Sequence, residues 1–195
     1  MEKHLWILIG LLTASLTAQE AADADFAVLK APENWRTELI TFPLSFAPDL
    51  DLRGIEDIRF APGWADKSAE DFWNYAFVWY LNDNPKLTEE KLENYMEAYF
   101  DGLMQVVGKS KEIEKTTSLF FGKVDDPLQP DFIGKIRVYD AFFVKDVITL
   151  YIKVRIFFCA KTQKHMVFFR VAPKSFGDEV WKNLNEVSVG INCKK

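Results

Sequence analysis

VITLYIKVRIFFCA, Val147 to Ala160, is the stretch that decides the fold. Ile148, Leu150, Ile152, Val154, Ile156 and Phe158 are all apolar, while Thr149, Tyr151, Lys153, Arg155, Phe157 and Cys159 form a mixed set. Side chains two residues apart share a face only in an extended chain, so the pattern predicts a long strand. One face belongs to a core and the other is half-wet.

Working outward, Lys145-Asp146 and Lys161-Thr162-Gln163-Lys164 are short polar connections. Ile133 to Val144 and Met166 to Ala172 therefore pair with the long strand in an antiparallel meander. Thr117 to Val124 reads as a further strand beyond a charged connector, KSKEIEK. Before that connector, Leu92, Tyr95, Met96, Tyr99, Phe100, Leu103, Met104 and Val107 recur at helical spacing. Thr88 is the expected N-cap, Glu89 and Glu90 suit the positive end of the dipole, and Gly108 is placed to end the helix. Ser175-x-x-Asp178 predicts the start of a second, short helix with Val180, Trp181, Leu184 and Val187 inward.

Toward the N-terminus, Ile40, Phe42, Leu44 and Phe46 alternate in Glu38 to Ala47, a strand that Pro43 places at an edge. A second short strand runs near Ile55 to Phe60. Phe72 to Leu81 (FWNYAFVWYL) alternates Trp73, Tyr75, Phe77, Trp79 and Leu81 and reads as an aromatic strand, although Ser68-x-x-Asp71 resembles a helix start. The resulting order, β-β-β-α-β-β-β-β-α, is α+β: one antiparallel sheet with helices packed on one face, in a single domain spanning 35–195. Residues 19–34 are small and acidic and read as a mobile lead-in. Residues 1–18 carry Lys3, the apolar run LWILIGLL and a small-residue end at Leu16-Thr17-Ala18, the layout of a cleavable secretory signal.

Composition narrows the chemistry. The chain has 195 residues, 49% hydrophobic and 27% charged, which is globular. A net charge of -5 argues against nucleic acid, whose binders need a dense cationic face. No stable membrane anchor is expected after cleavage, because no second apolar stretch reaches spanning length. Cys159 and Cys193 are the two cysteines, and export favours a disulfide between them over two buried thiols.

Catalytic residues are not identifiable. His165 is the one histidine left after signal removal and reads as a solvated turn residue. No G-x-S-x-G elbow, phosphate loop, H-E-x-x-H or dinucleotide fingerprint occurs. No cofactor and no metal site is expected. Asp49/Asp51, Glu56/Asp57 and Asp125/Asp126/Asp131 are acid clusters that a carboxylate-based hydrolase would use, and otherwise read as solvated loop acids.

Aromatic density is the remaining signal. Trp64, Trp73, Tyr75 and Trp79, beside Arg59, either fill the space between sheet and helix or project into a ligand cleft. Phe42-Pro43…Phe46-Ala47, Arg59-Phe60-x-Pro62-Gly63-Trp64 and Phe72-Trp73-x-Tyr75 resemble the motifs of a family of exported bacterial proteins without an assigned function, over about residues 35 to 104. That resemblance implies bacterial export and no catalysis. The element pattern is also similar to PsbP/Mog1-type modules, an analogy of architecture that confers no function. The sequence thus points to a secreted or periplasmic, non-enzymatic binding or accessory protein. Its unknown small-molecule or envelope-protein partner would meet either the aromatic cluster or the Tyr151, Lys153 and Arg155 face. The alternatives are an extracytoplasmic carboxylate-based hydrolase and a structural subunit of an envelope assembly.

Overall fold

A computed structural model describes residues 27–110, 112–122 and 130–193. The signal-like segment, Asp125 and Asp126 lie outside the described residues. Seven antiparallel strands form the main sheet: β2 (Arg36–Thr41), β3 (Gly54–Phe60), β4 (Tyr75–Leu81), β5 (Thr117–Gly122), β6 (Phe132–Tyr139), β7 (Val147–Cys159) and β8 (Lys164–Ala172). Their spatial order is β2-β3-β4-β8-β7-β6-β5, so β6, β7 and β8 form the expected meander and β2 lies at one edge. In β7, Leu150, Ile152 and Val154 are fully buried, as period two requires.

The fold class is α+β, as the sequence indicates, but the helices do not share one face. Helix α1 (Glu89–Gly108) packs against the face that carries Tyr75, Phe77, Trp79 and Leu81 of β4. Helix α2 (Val180–Glu186) covers the opposite face, with Ala76, Val78 and Tyr80. The reason is β4 itself, which is buried along its whole length. A strand apolar on both sides needs a layer on each.

A second correction concerns the lead-in. Val28 and Leu29 are buried, and β1 (Leu29–Lys30) pairs with β9 (Ser188–Val189) in a small two-stranded sheet. The anchor is a buried acid. Asp57 Oδ2 accepts the backbone N–H groups of Val28 (2.7 Å) and Leu29 (2.8 Å), and Arg59 donates to the Leu29 carbonyl (2.8 Å). Two residues of strand carry too little periodicity to be read from sequence.

Boundaries moved elsewhere for local reasons. The strand expected over Glu38 to Ala47 stops at Thr41, before a cis Phe42–Pro43 bond. Trp73 takes a positive φ of 58°, so the aromatic strand starts at Tyr75, and Phe72 and Trp73 belong to the preceding turn. The segment expected to continue to Val144 ends at Tyr139, because Asp140 accepts the N–H groups of Phe142, Phe143 and Val144 and folds them into a turn. Thr88 caps α1 through Lys91 N–H (3.2 Å), while the left-handed residue at its end is Lys109, one beyond Gly108. At α2 the N-cap is Glu179, without a side-chain cap bond, and Asp178 just before it accepts the Val180 N–H with Oδ1 at 3.2 Å. Cys159 and Cys193 form a disulfide that ties the C-terminal segment to β7. Closing a loop of sequence separation 34 stabilises the fold by roughly 3–4 kcal/mol in the chain-entropy model.

The outer edge of the sheet is sealed in an unusual way. Along α1, Glu89, Glu93, Glu97 and Asp101 recur every fourth residue on one side of the helix. Their carboxylates accept the N–H groups of Gly122 (3.2 Å), Phe120 (2.8 Å), Ser118 (2.8 Å) and Thr116 (2.8 Å). An edge strand presents unpaired donors to any passing strand, and here the helix satisfies them. Glu93→Ala is expected to cost about 1 kcal/mol and to cause self-association, measurable by light scattering.

Candidate functional site

The register of β2, β3 and β4 builds the floor of a cleft under α1. Arg36, Phe60 and Tyr75 lie in one row across the strands, Glu38 and Ile58 in the next and Ile40 in the third, while Phe77, Glu56 and Trp79 of the same rows are buried in the core. Tyr99, Leu103 and Val107 of α1 form the roof, and Trp64, Trp73, Phe142 and Phe143 close one end. Gly102 lets the Phe46 loop lie against α1, since a Cβ there would meet the Phe46 carbonyl oxygen at 1.7 Å. Phe46 then stands edge-on to Tyr99 with ring centroids 5.1 Å apart.

The cleft holds about 430 Å³ and its walls are mostly apolar, within the roughly 300–1,000 Å³ range of small-molecule sites. Trp64, Trp73 and Tyr75, expected from sequence, line it together. Phe46 and Phe60, from the same motif set, line it too. The edge-to-face contacts of Trp64 with Phe143 (4.9 Å) and of Trp73 with Phe142 (5.8 Å) hold the end wall. The indole nitrogens of Trp64 and Trp73 are buried and have no hydrogen-bond partner.

Two expected site residues are elsewhere. Arg59 points to the other face of β3, 4% exposed, in a buried ion pair with Asp57 and a bond to the Ile58 carbonyl. Alternation along the strand forces this, because Ile58 and Phe60 occupy the cleft side. Trp79 is fully buried in the core, and its indole donates to Glu56 Oε1 at 3.2 Å. The alternative face on β7 is also occupied. Tyr151 packs on Phe176, and the Lys153 ammonium lies 4.5 Å from the Trp181 ring centroid, beneath α2.

The charged residues that line the cleft are Arg36 and Glu38, at its mouth, and a buried acid lies beside it. Glu56 is fully buried, and desolvation raises its pKa from 4.5 to about 8, opposed by the Trp79 indole and the Tyr99 hydroxyl. Its Oε2 has no partner. Burial likewise pushes the Tyr75 and Tyr99 phenols well above their ordinary value, with Glu56 adding to both. At the mouth, the exposed Arg36 guanidinium lies 4.5 Å from the Phe60 ring centroid and 5.3 Å from that of Trp64.

The acid clusters separate. Glu56 and Asp57 are buried on opposite faces of β3, not in a solvated loop. Asp49 and Asp51 are exposed before β3, and Asp131 accepts the Ile156 N–H at 2.6 Å. His165 sits in β8, with its ring 4.8 Å from Phe158, rather than in the turn. Among the described residues, no group of three or more His, Cys, Asp or Glu side chains could hold a metal ion.

Sequence reasoning missed Arg36, Glu38, Tyr99, Phe142 and Phe143 as cleft residues. Asp140 before Phe142-Phe143 was the available signal, since an Asp side chain accepts a backbone N–H two residues on and turns the chain. Compared with known proteins, the chain matches no family model, no curated protein and no solved structure.

Proposed function

We propose that the protein is an exported, non-catalytic binding protein that holds an apolar small molecule between α1 and the β2–β4 edge. One observation carries this reading: a cleft of about 430 Å³ is walled by the rings of Phe46, Phe60, Trp64, Trp73, Phe142 and Phe143. Export is supported by the signal-like N-terminal pattern and by the Cys159–Cys193 disulfide.

The test is a titration with the environment-sensitive dye anilinonaphthalene sulfonate. The native chain is expected to bind it saturably at one site. Leu103→Trp, which fills the cleft from α1, is expected to abolish that binding while keeping cooperative unfolding. Undiminished saturable binding by a folded Leu103→Trp chain would place the ligand elsewhere.

A second reading, a subunit of an envelope assembly, draws on the outer face of β5 and β6. Phe121 (58% exposed) and Ile133 (39%) lie opposite each other there, with Leu119 (53%) beside them. A stable oligomer at micromolar concentration would favour it, and a strict monomer would remove it.

A further inference from the structure

We infer that the ligand is an amphipathic monoanion, a long-chain carboxylate, with its chain among the rings of the cleft and its head at Arg36. The inference rests on the cleft being the ligand site. Its walls at the closed end are Trp64, Trp73, Phe142 and Phe143, with Leu103 above. A charged head at Trp73, Phe142 or Phe143 would lose its hydration without gaining a counter-ion, because the lining cation, Arg36, lies over Phe60 and Trp64. The far end is no better, because Ile40 and Tyr99 line it and neither is a cation.

Arg36 is the cation that lines the cleft, and it forms no ion pair among the described residues. Stacking over Phe60 and Trp64 holds its guanidinium above the entrance, where it meets a carboxylate with the chain pointing inward. Glu38 lines the same mouth two residues along β2. Its charge disfavours a second negative charge on the head, so a monocarboxylate fits better than a dianionic phosphate.

The experiment compares dodecanoate, dodecanol and dodecyl phosphate on the native chain, Arg36→Gln and Glu38→Gln by tryptophan fluorescence. Dodecanoate is expected to bind the native chain about fivefold more tightly than dodecanol. Arg36→Gln is expected to erase that preference by weakening dodecanoate more than dodecanol, whereas Glu38→Gln tightens dodecanoate and tightens dodecyl phosphate more. Both side chains are exposed, so the variants are expected to fold, and their melting temperatures verify it. Equal binding of acid and alcohol, or a preference that survives Arg36→Gln, overturns the head assignment and leaves the cleft as the site. Failure of all three amphiphiles to bind overturns both readings.

Discussion

Asp57→Ala is expected to lower the melting temperature by roughly 10 °C, one of the two large stability effects foreseen in this chain. Asp57 is fully buried, and its carboxylate serves three partners at once: Arg59 and the N–H groups of Val28 and Leu29. Removing it leaves the Arg59 guanidinium buried without an anion and orphans two backbone donors. Breaking a buried ion pair from one side typically costs about 3–5 kcal/mol, and for a chain of this size each kcal/mol shifts the midpoint by about 2–4 °C. A structural signature accompanies the loss. β1 is held by β9 and by this carboxylate, so the variant is expected to expose Lys30 to trypsin well before global unfolding. A melting temperature within about 2 °C of native, with Lys30 still protected, would show that the pair does not anchor β1.

Glu56 gives the second large effect, and it depends on pH. Its folded pKa of about 8 lies above the ordinary value of 4.5, so the folded chain holds a proton that the unfolded chain has released between those values. Stability is therefore greatest below about pH 4.5 as far as this group is concerned. It declines as pH rises and is fully reduced once pH passes about 8. The shift corresponds to about 4–5 kcal/mol of stability across that window. Glu56→Gln keeps an oxygen acceptor for the Trp79 indole and removes the titration. Thermal unfolding followed from pH 5 to 9 is expected to show the native melting temperature falling with pH and the variant nearly flat, with the variant the more stable at pH 9. Parallel curves for the two chains would mean that Glu56 does not carry the linkage.

These two acids also show what the sequence could and could not reveal. The sheet was legible because Val147 to Cys159 alternates over thirteen residues, and α1 because its apolar stripe runs for about four turns inside recognisable capping residues. Glu56 and Asp57 read as loop acids because acids are usually wet. Only the register shows that β3 sits between two strands with a helix over one face and β1 under the other. The same alternation explains the split among the candidate site residues. Trp64, Trp73 and Tyr75 reach the cleft, whereas Arg59 falls on the far side of its strand and Trp79 lies beyond Phe77 in the core. Arg36 and Glu38 carried no local signal, since two exposed charges on an edge strand resemble ordinary solvated surface. Their meaning comes from the rings that β3, α1 and two turns place beside them.

The most direct test of the ligand cleft follows the indole N–H resonances of Trp35, Trp64, Trp73, Trp79 and Trp181 during titration with dodecanoate. Trp79 and Trp181 already donate, to Glu56 and to the Lys174 and Ser175 carbonyls, and are expected to stay in place. Trp64 and Trp73 lack acceptors and line the cleft, and their resonances are expected to move together and to saturate. Movement confined to Trp35 or Trp181, with Trp64 and Trp73 fixed at saturation, would contradict the assignment.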